Sequence, residues 1–200
     1  MKRLIGTLIL TTAMGALAAP LAAQSQGDWT FGLGLGWVDP TSNNGTVGGA
    51  ALTIDEDIRP TFTVEYFFRD NLGVELLAAT PFEHTISLGG AAIATTKHLP
   101  PTLSVNYHFP TNTSFKPFVG IGVNYTTFFE ESTALGNLEL EDSWGIALHA
   151  GTDYQISDNG SLRFDIRWID INTEATLNGA PLADVKIDPL VVGIAYVHRF

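Results

Sequence analysis

From Trp29 to Trp37 every second residue is bulky and apolar: Trp29, Phe31, Leu33, Leu35 and Trp37 share one face, while Thr30, Gly32, Gly34 and Gly36 share the other. A period of two is that of a β-strand. In a water-soluble sandwich the face opposite the core would be polar. Here it is mostly glycine, so the bulky face is expected to meet lipid and the small face a crowded interior. Seven further segments of about ten residues follow the same rule, as membrane-spanning strands require. Phe62, Val64, Tyr66 and Phe68 alternate with Thr61, Thr63, Glu65 and Phe67; Leu72, Val74, Leu76 and Ala78 with Gly73, Glu75, Leu77 and Ala79. Leu99, Leu103, Val105, Tyr107 and Phe109 oppose His98, Thr102, Ser104, Asn106 and His108, and Val119, Ile121, Val123 and Tyr125 point outward from 116–128. Trp144, Ile146, Leu148 and Tyr154 oppose Gly145, Ala147, His149 and Asp153; Leu162, Phe164, Ile166 and Trp168 oppose Arg163, Asp165 and Arg167. The last segment runs from Leu190 to Phe200 with its even positions mostly apolar.

The connections alternate in length. The intervals 39–60, 83–97, 129–142 and 171–188 are long, whereas Arg69–Asn71, Pro110–Ser114 and Ser157–Gly160 are short. Short periplasmic turns and long external loops belong to outer-membrane barrels. The expectation is therefore an all-β chain, an eight-stranded antiparallel transmembrane β-barrel, occupying 24–200 as one domain. Before it, Lys2 and Arg3 precede an apolar run from Leu4 to about Leu17 and then small residues, which reads as a secretory signal over 1–23 cleaved near Ala18 or Ala23. That run is too short for a spanning helix, so any crossing must be made by strands.

Composition narrows the classes further. The formal charge is −11, about −13 once Lys2 and Arg3 leave with the signal, which argues against a nucleic-acid partner. With no cysteine there is no disulfide framework and no thiolate metal site. His84, His98, His108, His149 and His198 have no metal-ligand spacing, and no nucleophile, base and third partner fall together, so neither a metal, a cofactor nor an enzyme is expected. Gly32, Gly34 and Gly36 resemble a phosphate loop only superficially, since they lie in a strand with no helix after them.

The segments Asn71–Phe82, His98–Thr102, Lys116–Phe129, Asp142–Gly145 and the terminal Phe200 resemble the outer membrane protein W (OmpW) family. The resemblance covers essentially the whole chain after the signal and departs mainly in the loops 39–60 and 129–142. It implies an eight-stranded barrel with a narrow apolar channel, associated with uptake of small hydrophobic molecules and with stress responses. The terminal Phe200 resembles the assembly signal read by the barrel-insertion machinery.

Each inward residue can be given a height from the strand directions. The periplasmic half collects Glu65, Glu75, His108, Lys116, Asp153, Arg163, Asp165 and Arg199, expected to form a mixed-sign polar plug because an unpaired charge is costly in so narrow a lumen. The upper half collects Leu77, Ala79, Pro100, Phe128, Ile169 and Val191, with Arg167 as its one polar member, and reads as an apolar channel lining. Eight strands enclose room only for side chains or one small ligand, which excludes a water-filled porin. A ligand above such a plug needs another exit. Pro81, Pro100 and Pro101 flank the third and fourth strands and cannot donate to the ladder, so a lateral seam is expected there. The expected partners are outer-membrane lipid and lipopolysaccharide and a small hydrophobic ligand; the acidic loop residues Asp55, Glu56, Asp57, Glu130, Glu131, Glu139, Glu141 and Asp142 read first as a solvated face and second as a bridge to lipopolysaccharide through divalent cations. The other reading is a structural barrel that only presents its loops to a host or phage. A lipid-modifying enzyme would need a Ser or Asp beside a His at the membrane rim.

Overall fold

The computed structural model describes residues 24–200; the expected signal at 1–23 lies outside the described residues. Its strands in chain order are β1 (Trp29–Asp39), β2 (Thr46–Val47), β3 (Ala50–Ile54), β4 (Asp57–Arg69), β5 (Leu72–Ala79), β6 (Phe82–Leu88), β7 (Ala91–Leu99) and β8 (Thr102–His108). They continue with β9 (Phe115–Thr133), β10 (Leu138–Leu140), β11 (Ser143–Gln155), β12 (Gly160–Ile169), β13 (Asn172–Leu177), β14 (Ala180–Lys186) and β15 (Leu190–Arg199). Eight of them form the wall in the order β1, β4, β5, β8, β9, β11, β12, β15, each antiparallel to its neighbours. β15 returns to β1 in register from Thr30↔Arg199 to Asp39↔Leu190, so the sheet closes on itself. The Phe200 amide adds one further rung by donating to the Trp29 carbonyl at 2.9 Å.

The sheet is inverted relative to a soluble protein, as the glycine face requires. Ile121 is 59 % exposed and Leu35 50 %, whereas inward Ala147 and Phe67 are fully buried. Trp29, Tyr107, Phe115, Tyr154, Tyr196 and Phe200 ring the end that carries the short turns, and Tyr125 packs on Trp144 toward the opposite end, in the aromatic belts expected where a wall meets headgroups. Two glycines show why the lumen face is small. A Cβ on Gly34 would lie 2.3 Å from the Ile194 carbonyl oxygen, and one on Gly73 would lie 2.3 Å from the Glu65 carboxylate.

The intervals expected as loops are instead largely β-structured. β6 and β7 form a hairpin, β7 pairs with the upper part of β9, and β3 adds to β6 and β2 to β3. β13 and β14 form a second hairpin edged by β10. Three of the turns are two-residue turns with both residues at positive φ: Gly48-Gly49 (57° and 84°), Gly89-Gly90 (58° and 87°) and Asn178-Gly179 (53° and 78°). Gly-Gly and Asn-Gly are the pairs that tolerate this geometry, and it matches the twist of the flanking strands. The extensions pack a shared apolar cluster over the barrel mouth, with Leu52, Phe82, Ile86, Leu138, Ala175 and Val185 meeting Val38, Phe128, Ile169 and Val191 from the wall.

Leu76 is 48 % exposed on the outer wall. Leu76→Arg is expected to cost about 2–4 kcal/mol in folding into vesicles, the range for an arginine near the bilayer midplane. Equilibrium urea titration measures this, and a stability equal to wild type would mean that this face does not meet hydrocarbon.

Candidate functional site

The lumen is crossed by one connected polar network. Arg163 donates to both Asp153 oxygens at 2.7 and 2.9 Å and to Glu75 at 2.5 Å, and lies 3.5 Å from Glu65. Arg167 reaches the other Glu75 oxygen at 2.7 Å and donates to His149 Nδ1 at 3.0 Å. With Nδ1 accepting, the His149 proton sits on Nε2, which donates to Asp165 at 3.1 Å. Glu65 accepts from Asn106 at 3.2 Å and contacts His108 at 3.0 Å. The fully buried Phe67 and Phe118 support this layer. His108 lies against both rings at 5.0 and 5.1 Å, and the Arg163 guanidinium lies over Phe118 at 4.6 Å. With four carboxylates set against two guanidiniums, the layer is a block of negative bias.

Six of the eight residues expected in the plug, Glu65, Glu75, His108, Asp153, Arg163 and Asp165, meet in this layer. Two do not. The Lys116 ammonium donates to the Thr111 carbonyl at 2.7 Å, and Arg199 donates to the Asp158 carbonyl at 3.0 Å, so both sit at the mouth on the short-turn side. They line a cavity of about 40 Å³ with Gln24, Gln155 and Asn159. Arg167, expected among the channel-lining residues, belongs to the plug. Its backbone lies above, but its side chain is longer than the 3.3 Å rise of a strand residue and turns down to Glu75. His149, Phe67 and Phe118 were not assigned to the plug from the sequence; their inward parity was legible, but their contacts run between strands far apart in the chain.

Above the plug, Leu77 and Val191 line a space of about 30 Å³ shared with Thr61, His149, Arg163 and Arg167. Phe128, Ile169 and Val191 are packed into the mouth cluster, and Ala79 packs against it. A larger cavity, about 80 Å³, lies between the two external sheets and is lined wholly by aliphatic residues, among them Leu52, Ile86, Leu138, Leu177 and Val185. None of the residues expected to line the channel borders it. It is built by the hairpins of the long intervals 39–60, 83–97, 129–142 and 171–188.

The β5–β8 ladder stops at Leu77↔Thr102, and the β6–β7 ladder resumes at Phe82↔His98. Residues 78–81 and 99–101 between them, with Pro81, Pro100 and Pro101, form a break in the wall. Each side remains tied to its other neighbour, since the Thr80 amide donates to Pro60 O at 3.0 Å and the Tyr125 amide to Pro101 O at 3.1 Å. The Asn124 amide nitrogen donates to Pro100 O, Pro101 O and the Thr102 hydroxyl at 3.1, 3.1 and 3.0 Å, so the two proline carbonyls beside the break are satisfied. Pro101 is level with the Tyr125–Trp144 pair, which places the break at the upper aromatic belt.

Just above the belt, His98 and His84 stack at 4.9 Å with 12° between planes, and His98 also lies against Phe82 at 5.5 Å and Phe128 at 5.8 Å. Both histidines are 1 % exposed. Burial, and then the adjacent His84, hold the His98 imidazole down to about 3; burial also lowers His84, opposed by its bond to the Asp55 carbonyl.

A closed wall with an apolar exterior, aromatic belts, a filled polar lumen and β-structured extensions at one end defines a small outer-membrane β-barrel. Residues 25–200 match the OmpW family. The chain is 37 % identical to outer membrane protein W of Vibrio cholerae serotype O1, over 100 % of both proteins. It is 28 % identical to the dibenzothiophene metabolism operon protein PahQ of Pseudomonas aeruginosa, over 97 % of this chain and 98 % of that one. The crystal structure of OprG from Pseudomonas aeruginosa aligns with a TM-score of 0.83 at 34 % identity, covering 89 % of this chain and 98 % of that one. The chain belongs to the OmpW family: it is a non-enzymatic barrel of the cell outer membrane, set in lipid.

Arg163→Ala is expected to leave Glu65, Glu75 and Asp153 short of a buried counter-charge and to cost about 3–5 kcal/mol. In planar bilayers the same variant should conduct more than wild type and favour cations, read from the reversal potential in a KCl gradient; unchanged conductance would place the block elsewhere. A second expectation concerns acid. Because His98 and His84 hold their protons less well folded than unfolded, stability is complete above about pH 6.5 and is lost as pH falls toward 3. The unfolding midpoint of wild type should therefore drop between pH 6.5 and 4 more steeply than that of His98→Phe, and parallel profiles would show that these imidazoles do not set the slope.

Proposed function

We propose that this barrel is a narrow apolar conduit for small hydrophobic molecules, which enter between the external sheets and leave sideways into the membrane through the break between β5 and β8. The observation that carries the reading is the pairing of that break with a blocked lumen. The ladder is absent from 78–81 to 99–101 at the aromatic belt, while Arg163, Glu75 and Arg167 close the path below it. A solute arriving from above has hydrocarbon beside it and a charged layer beneath it, and an apolar molecule partitions into the hydrocarbon. The aliphatic cavity between the sheets supports entry from the outside. A relative from a dibenzothiophene metabolism operon is consistent with an apolar solute. On this reading Pro81, Pro100 and Pro101 keep the seam open, Leu77, Ala79, Pro100, Phe128, Ile169 and Val191 face the passing molecule, and Phe200 serves assembly through the barrel-insertion machinery. Divalent cations bridge lipopolysaccharide to the acidic loops.

The apolar cluster over the mouth is the observation that favours a second reading, a barrel that presents its β-structured loops without transport. A cross-link separates the two. Continuing the register beyond Leu76↔Leu103 places Ala78 opposite Pro101, and the chain has no native cysteine. In Ala78→Cys, Pro101→Cys barrels a short dithiol-bridging reagent should abolish uptake of a hydrophobic fluorescent tracer, while monothiol capping should not. Uptake that survives bridging would sink the lateral exit. Wild type that adds no uptake over cells lacking the barrel would leave the loop-presenting account.

A further inference from the structure

The stacked histidines stand at the upper edge of the break, and their ring nitrogens are poorly served. His98 shares inward parity with Pro100 and Thr102, and its partner across the hairpin is Phe82, the first paired residue above the gap. His98 Nδ1 and Nε2 and His84 Nε2 are buried, and none of the described residues bonds to them. Thr80, two residues before Phe82 on the facing edge, has a buried hydroxyl in the same condition. Buried donors and acceptors are nearly always paired; unpartnered ones also occur in the plug, at Glu65, Ser104, Asn106, His108 and Arg167, but there an ion network surrounds them, whereas these four stand beside the break in the wall. Aromatic surface encloses them, from Phe82 and Phe128.

We propose that the His84–His98 pair, with Thr80, is a polar docking point for the head of an apolar molecule that carries a single hydroxyl group. The inference rests on the conduit reading for the molecule's presence at the seam and adds which molecules it favours. A neutral imidazole offers one donor and one acceptor, and burial keeps both rings neutral near pH 7. A hydroxyl also donates once and accepts, so one head group can satisfy a donor and an acceptor of the pair at once. Asp55, which touches His84, and Asp57, Glu83 and Glu130 on the surrounding elements disfavour a carboxylate head, while Arg59 and Lys97 are already paired to Asp57 and Glu130. The alkyl tail would lie along Phe82, Phe128 and the adjoining apolar cluster. An alkane gains the same tail contacts but leaves the ring nitrogens unserved, and a site built to bond a hydroxyl discriminates against the analogue that lacks it.

The test is nitrogen NMR of barrels labelled with ¹⁵N-histidine in lipid nanodiscs, titrated with 1-octanol and separately with octane. The ring resonances of His84 and His98 are expected to move saturably with octanol and not with octane, while those of His108 and His149 in the plug stay in place. Absence of any octanol shift at both residues, or the same shift with both ligands, would overturn the proposal. His84→Phe and His98→Phe keep a stacked ring and should each weaken octanol affinity roughly two- to tenfold, the size of one net hydrogen bond, without altering octane. Unaltered octanol affinity in both variants would also overturn it. Because binding is read without transport, a barrel that shows these shifts yet carries no tracer supports the docking point and sinks the conduit.

Discussion

Everything in this molecule follows from one constraint: in hydrocarbon, each backbone N–H and C=O must find a partner within the protein. Strands satisfy it only when the sheet closes, and β15 returning to β1 completes that closure. Closing with eight strands fixes a lumen too narrow for bulk water, so side chains must fill it. The alternation then assigns bulky residues to lipid and small or polar ones to the interior. Glycine at Gly34 and Gly73 is the local form of the same limit, since a single methyl there would collide with a carbonyl or with Glu65.

A filled lumen need not be a charged one. Apolar residues of similar volume would often be as stable as a buried ion network, so Arg163, Arg167, Glu65, Glu75 and Asp153 are weak evidence for stability alone. Their geometry argues for obstruction. Two guanidiniums bridge acids on β4, β5 and β11 and tie opposite sides of the wall into one layer.

The wall relaxes its pairing at one place, between β5 and β8 at the upper belt. An open ladder in mid-membrane would strand carbonyls in hydrocarbon. Here Pro81, Pro100 and Pro101 remove three donors, and Asn124 supplies hydrogen bonds to the Pro100 and Pro101 carbonyls. The break is thus a built feature rather than a frayed end, and the aromatic cage of His84 and His98 stands directly above it.

The alternation, the signal-like start, the spacing of short and long connections and the proline positions were legible in the chain because each is local, carried by period or by single-residue backbone chemistry. The alternation and the spacing of connections determined the eight-stranded barrel and its inside-out sheet. The hairpins of the external sheets carry local signals as well, in Gly48-Gly49, Gly89-Gly90 and Asn178-Gly179, which the lengths of the intervals alone do not reveal. What the tertiary structure alone decided is which inward side chains meet. Parity gives a residue its face and register its height, yet Arg167 turns down to Glu75, 92 residues away in sequence, while Lys116 and Arg199 turn out to the mouth. Long side chains choose among partners across a lumen that only closure creates, and closure is a property of the whole sheet rather than of any strand.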